Sequence, residues 1–274
     1  MRRVFPRSLL WLAMFCGVMA SSATESQGQE PKPALPDAPV STHAAEASAA
    51  EDIELSWRQL PKRILHDQKD IWLFPTQLAR GRNWIPTLAV VGGTAGLIAV
   101  DPHGAAYFRA HAGNLEDFND AFDGPITAAE IAIVPVTFFV VGQIRHDTYA
   151  SKTGLAAGEA YVDGYILGVA IKAITRRKRP SEVPPGGQFT DTFFNTRKSP
   201  AGSSFPSGHA IGAFSVATVV ARRYRHHRWV PWVAYGGATV ISFSRVTRGA
   251  HFPSDVFLGA ALGYSIARFE VMRH

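Results

Sequence analysis

Pro206-Ser207-Gly208-His209 runs directly into Ala210-Ile211-Gly212-Ala213-Phe214-Ser215-Val216-Ala217-Thr218-Val219-Val220-Ala221. The run after the turn is apolar and small, with helical rather than alternating patterning. A Ser-Gly pair at its start suits a helix N-terminus, with Ser207 as the N-cap and Gly208 allowing close backbone approach. Free amide N–H groups at such a start point toward a bound anion, and His209 in the same turn is placed to donate a proton. A plain cap beside a surface histidine has the same spelling, so the neighbouring segments must decide.

Five further runs rich in Gly and Ala share this patterning, at residues 85–100, 126–141, 160–174, 230–243 and 256–267. Turn signals such as Asp101-Pro102-His103-Gly104 and Asp123-Gly124-Pro125 separate them. The expected fold is all-α, a helical bundle of about six core helices filling one catalytic domain over residues 85–274. Ahead of it, residues 51–84 mix Trp57, Trp72 and Phe74 with charges and read as short amphipathic helices broken at Pro61 and Pro75. Residues 24–50 are mostly Ala, Pro, Ser, Glu and Gln, too poor in apolar surface to offset the entropy of ordering, and read as a disordered linker. The first 23 residues, with basic Arg2, Arg3 and Arg7 before an apolar run, read as a signal peptide or N-terminal anchor. Cys16 is the one cysteine in the chain and lies in that run. Loss of the leader would remove the last thiol, and with it disulfides, cysteine nucleophiles and cysteine-ligated metals.

The net charge of +6 suits nucleic acid, anionic lipid or a phosphorylated substrate. Neither zinc-finger spacing nor a basic helix with interleaved aromatics is present, which excludes nucleic acid as the expected partner. Most of the apolar runs fall short of the roughly 20 residues of a membrane crossing, and Glu130, Asp163 and Lys172 put charges inside them. Against that, the loop at 222–228 is basic, whereas Glu116, Asp117, Asp120 and Asp123 make another loop acidic. This alternation follows the positive-inside rule and puts the motif clusters on the outer side. A cleaved leader, however, leaves the chain outside before the first crossing, and six crossings with an outward site need it inside. Three solutions stand: a retained leader, one run that does not cross, or a soluble periplasmic domain. The expected location is therefore the cell envelope, either in the inner membrane with the site facing the periplasm or free in the periplasm.

Two more clusters accompany the first. Lys172 and Arg179 are two helical turns apart, so both are expected to project from one helix face, with Pro180 stopping that helix. Arg176, Arg177 and Lys178 crowd the same end, where any helix C-terminus favours cations. Ser244-Arg245 closes the fifth run, and His251 precedes the sixth with Asp255 four residues on. Pro253 suits a helix first turn. That turn would let Asp255 accept a hydrogen bond from one nitrogen of His251 and leave the other unprotonated and nucleophilic. Such a pair also occurs for purely structural reasons. Three cations, two histidines, a carboxylate and a Ser-Gly turn together describe a site that holds a tetrahedral oxyanion and attacks it without a metal.

The arrangement Lys, six residues, Arg-Pro; Pro-Ser-Gly-His; then Ser-Arg, five residues, His, three residues, Asp resembles the type 2 phosphatidic acid phosphatase and vanadium haloperoxidase superfamily over residues 158–268. The resemblance implies a metal-independent phosphatase acting on a lipid phosphate or lipid diphosphate of the phosphatidate, phosphatidylglycerophosphate or isoprenoid kind. It implies that His251 attacks phosphorus to form a phosphohistidine, that Asp255 orients it, and that His209 protonates the leaving oxygen. Lys172, Arg179 and Arg245, with the Ser207 hydroxyl and the Gly208 and His209 amides, would hold the phosphate. No cofactor is implied; vanadate enters only under the haloperoxidase alternative, and a periplasmic acid phosphatase on small phosphomonoesters is the nearer alternative. Arg176, Arg177, Lys178, Arg197, Lys198 and Arg248 flank the motifs and read as a solvated basic rim that attracts an anionic head group at most. Residues 181–204 read as a lid, a substrate rim or a connector, and His226 and His227 as surface residues.

Overall fold

The computed structural model describes residues 55–122, 124–195, 199 and 202–273. The leader with Cys16, the 24–50 linker, Arg197 and Lys198 lie outside the described residues. The described residues form eight α-helices: α1 Leu60–Ala79, α2 Trp84–Ala110, α3 Glu116–Ala121, α4 Gly124–Ile144, α5 Thr148–Thr175, α6 Gly208–Arg223, α7 Val230–Thr247 and α8 Pro253–Phe269. Among the described residues there is no strand. Each of the six apolar runs is a helix, as the patterning predicts, and each extends beyond the run that announces it.

The bundle is organised around α6, which packs against α5, α7 and α8 and touches α4. Ile211, Val216, Val219 and Val220 of α6 are all buried, and so are Ala210, Ala213, Ala217 and Ala221 between them. A helix apolar all round belongs in the middle of a bundle. Its contact with α8 depends on small residues spaced four apart. A Cβ added at Gly259 would lie 2.7 Å from the Ser207 carbonyl oxygen, and one at Gly263 would overlap the Ile211 carbonyl. The two backbones therefore touch, as small-xxx-small faces allow, and this contact brings the start of α8 to the start of α6.

Three local expectations are corrected. Asp101-Pro102-His103-Gly104 is no turn: α2 continues through Pro102 to Ala110. The proline forgoes one backbone hydrogen bond, while Asp101 is buried against partners from two other elements. Pro61 sits in the first turn of α1 and Pro75 inside it, so residues 60–79 form one helix rather than broken pieces. Finally, α5 stops at Thr175, four residues before Arg179. Arg176 takes the left-handed conformation (φ 41°, ψ 42°) and its N–H caps the Lys172 carbonyl at 3.1 Å. Lys172 and Arg179 therefore do not share a helix face.

Two helices, Trp84–Ala110 and Thr127–Ile144, are long and apolar enough to cross a membrane by length and composition. Only 11% and 28% of their most apolar windows are buried within the protein. Ile85, Leu88 and Val91 of α2 and Val136, Val140 and Ile144 of α4 are exposed large apolar side chains.

Candidate active site

The segment from Gly202 to Ser207 is the hub onto which the motif residues converge. Lys172, in the last turn of α5, donates from Nζ to the Ser203 carbonyl at 2.5 Å. Arg179 donates from Nε to the Gly202 carbonyl at 3.3 Å. His251 places Nδ1 2.6 Å from the Ser204 carbonyl, and the Ser207 N–H donates to the Asp255 carbonyl at 2.9 Å. Four motif residues from three separate stretches of chain thus meet one strap of backbone. The Phe205-Pro206 peptide within it is cis.

Ser207 caps α6 by accepting from the Ala210 N–H at 3.4 Å, and its side chain is buried. This is the N-cap that the sequence predicts. A Cβ at Gly208 would project into open space, so the helix start faces room rather than packed protein. His209 follows in the first turn, half-buried.

His251 is 2% exposed, and its own N–H bonds to the Arg245 carbonyl at 3.1 Å. Because a carbonyl can only accept, the Ser204 contact assigns the proton to Nδ1 and leaves the Nε2 lone pair bare whenever the ring is neutral. Burial pushes the His251 pKa down to about 4; Asp255 opposes this, while the Lys172 and Arg179 cations add to it. The ring is therefore neutral at pH 7.

The expected hydrogen bond from His251 to Asp255 is corrected in detail. Asp255 Oδ2 lies 3.6 Å from Nδ1, beyond hydrogen-bond length, and accepts instead from the Phe252 N–H at 2.7 Å. The carboxylate faces the ring as a charge, and the Ser204 carbonyl fixes the tautomer. Neither the sequence spacing nor the helix start announces that carbonyl.

Arg245 departs further from expectation. Its backbone carbonyl anchors the turn that carries His251, receiving both the Ala250 and His251 N–H groups. Its guanidinium turns to α7, to α4 and to Phe122 ahead of α4: Nε donates to Ser244 Oγ at 3.0 Å, and Nη2 to Ser244 Oγ, Thr127 Oγ1 and the Phe122 carbonyl. Those nitrogens are committed to protein acceptors rather than aimed at the 202–207 strap.

Sequence reasoning missed two residues. Arg177, read as one more solvated cation, is 1% exposed. Its guanidinium lies over Phe252 at 3.9 Å and Phe193 at 4.3 Å, and its nitrogens reach Asp255, Ser254, Thr192 and Asp101. Asp101, read as part of a turn, is 1% exposed in α2. The one hint available was a charge inside an otherwise apolar stretch. Arg248 is half-buried, and its Nη1 donates to the Asn119 carbonyl at 2.5 Å. The segment after Pro180 is tied down by Arg109 of α2, which donates to the Val183 carbonyl at 2.8 Å and also reaches the Pro180 and Pro184 carbonyls. Val183 and Phe189 from that segment pack with Phe252 and Ala105.

Residues 153–273, the stretch that holds every motif, match the PAP2 superfamily. Lipid A 1-phosphatase of Rhizobium etli is 36% identical over 118 residues, 42% of this chain and 47% of that protein. Decaprenylphosphoryl-5-phosphoribose phosphatase of Mycobacterium tuberculosis is 32% identical over 112 residues, 41% of this chain and 56% of that protein. The chain thus spans about half the length of these curated relatives. Among solved structures, a transmembrane PAP2 type phosphatidylglycerolphosphate phosphatase from Bacillus subtilis aligns with a TM-score of 0.44 and 20% identity, over 66% of this chain and 91% of that one.

Proposed function

We propose that this protein is a metal-independent phosphatase that removes phosphate from a phosphorylated lipid through a phosphohistidine at His251. The observation that carries the reading is the His251 imidazole: buried, neutral, with its one proton engaged by the Ser204 carbonyl and its other nitrogen bare. A nucleophile needs that lone pair, and the cations Lys172 and Arg179 lie close enough to act on its charge.

The chemistry follows from these groups. The Nε2 lone pair forms the N–P bond as the P–O bond to the leaving group breaks, and the departing oxygen takes its electron pair and a proton from His209. Water then adds to phosphorus as the P–N bond breaks, returning the electron pair to Nε2 and a proton to His209. Positive charge appears on the imidazole during the first step, and the Asp255 carboxylate 3.6 Å from Nδ1 stabilises it. Lys172, Arg179, the Ser207 hydroxyl and the Gly208 and His209 amides hold the phosphate oxygens, each such contact contributing on the order of 3 kcal/mol in the transition state. Arg245 supports the His251 turn through its carbonyl. A lipid substrate is favoured over a soluble ester by the exposed apolar faces of α2 and α4, which suit membrane embedding. The matched relatives named for lipid A and decaprenyl-linked substrates agree with that choice. On this reading the protein sits in the cell envelope with its site on the outer face of the inner membrane.

The test is phosphate release by detergent-purified protein from phosphatidate, phosphatidylglycerophosphate and isoprenoid diphosphates, set against water-soluble phosphomonoesters, with EDTA throughout. We expect turnover of one lipid class in EDTA, and a loss of at least about 10⁴-fold in His251→Ala together with any acid-labile phosphoenzyme. Activity confined to soluble esters, activity lost to EDTA, or an active His251→Ala protein would each overturn the corresponding part.

A further inference from the structure

The site does not end with the motifs. Arg177 stands between two buried carboxylates, donating from Nη2 to Asp101 Oδ2 at 2.7 Å and from Nη1 to Asp255 Oδ1 at 2.6 Å. Ser254 closes the loop. Its hydroxyl accepts from Arg177 Nη1 at 2.7 Å and donates to Asp101 Oδ2, while its N–H donates to Asp101 Oδ1 at 3.1 Å. Every carboxylate oxygen in this network is met by a donor, since Asp255 Oδ2 takes the Phe252 N–H. All four side chains are buried.

We propose that Arg177 and Asp101 are positioning residues for the hydrolysis, a relay from α2 that sets the Asp255 carboxylate and the first turn of α8 against the back of His251. The inference rests on the function proposed above. It also makes the site depend on α2, which lies outside the stretch that matches the superfamily.

Charge supplies the reason. Two carboxylates and one guanidinium leave a net negative charge behind a neutral imidazole, and the positive charge that develops when Nε2 attacks brings the group to neutrality. Electrostatic stabilisation of this kind is effective when it is fixed in place before reaction. Arg177 does the fixing with a planar fork that spans both carboxylates, a geometry that a lysine ammonium cannot reproduce. Asp101 holds that fork from the opposite side and anchors the Ser254 amide, so the register of α8 relative to α2 is set by the same ion. The charged groups facing His251 are Asp255 of α8, Lys172 of α5 and Arg179 of the segment that follows α5. Arg177 and Asp101 act on the ring only through Asp255.

Two readouts test the relay. With the lipid substrate, Arg177→Lys and Asp101→Asn should each lower kcat by about 30-fold or more while KM stays within about threefold, because the interaction is made in the transition state. Independently of any substrate, the His251 titration followed by NMR of ring-labelled histidine should move in opposite directions. Arg177→Met should raise its midpoint by about one unit by exposing the ring to an unneutralised Asp255, and Asp101→Asn should lower it. If Arg177→Met does not fold, Arg177→Lys and Asp101→Asn carry the same test. A merely structural role predicts common losses of stability with kcat per folded molecule unchanged. That outcome, or titration midpoints that stay where they are, overturns the relay. An inactive wild-type protein whose His251 midpoint still shifts in opposite directions would instead sink the phosphatase reading and keep the relay.

Discussion

Two buried charged regions of this protein solve the same problem in opposite ways. Behind His251, Asp101, Arg177 and Asp255 alternate in charge and each carboxylate oxygen has a donor. Between α1 and α5, Asp67, Glu159 and Asp163 are all buried, while Arg63 reaches Glu159 at 2.9 Å and Gln68 reaches Asp163 at 2.9 Å. There the second oxygens of Glu159 and Asp163 have no hydrogen-bond partner, and Asp67 lies against both. Carboxyl groups that face one another in a dry interior share protons rather than charge. In the first region burial is outweighed by His251 and Arg177, which hold the Asp255 carboxyl below its ordinary value; in the second, burial pushes Glu159 and Asp163 up to about 7. Burial alone does not separate them, since both are buried; matched donors do.

The sharpest way to break the contrast is to replace one carboxylate by its amide in each region. On the proposed mechanism Asp255→Asn should lower kcat by on the order of 10³ or more, because an amide cannot stabilise an imidazolium at His251. Lys172→Met removes a cation that lowers the His251 pKa and that the proposed mechanism places on the substrate phosphate. It should lower kcat/KM by about 100-fold, roughly 3 kcal/mol in the transition state, and move the acid limb of the pH profile upward. In the wild-type protein that limb should lie well below the ordinary histidine range, toward the His251 value of about 4. The same value carries a stability consequence. The unfolded chain protonates this histidine near pH 6.5 and the folded one only near 4, so protonation favours the unfolded state in between. Stability from this group is complete above about 6.5 and falls as pH drops toward 4, by on the order of 3 kcal/mol. Thermal inactivation compared at pH 7 and pH 4.5 reads it, and His251→Ala should flatten that dependence. The smallest effect belongs to the other region. Asp163→Asn should leave kcat within about twofold and stability unchanged or raised by about 1 kcal/mol, since it replaces a proton-sharing carboxyl with an amide of the same shape. A large loss of stability in that variant would mean that the α1/α5 carboxyls are also kept charged.

The helices were legible because their signal is local. An apolar run such as 210–221 needs no knowledge of its neighbours to read as a helix. Its ends were not legible, and Pro102 shows why: a proline predicts a break unless distant partners make continuation worthwhile, and Asp101 has such partners in Arg177 and Ser254. The reading of Lys172 and Arg179 as one helical face failed for a related reason. Seven residues make two turns only if the helix lasts that long, and Arg176 ends it early. The two cations still converge, through carbonyls of the strap rather than through helical geometry.

From its order of residues alone this chain announces an all-helical domain and a set of side chains suited to phosphate-ester chemistry, since patterning and motif spacing are properties of short stretches. What those side chains do to one another was decided only by folding. Arg177 and Arg176 are adjacent cations with the same spelling, yet one is buried between two carboxylates and the other caps a helix. The proton of His251 is assigned by a backbone carbonyl 47 residues away. Electrostatic roles depend on distance and on exclusion of water, and both are set by packing between segments that the linear chain keeps apart.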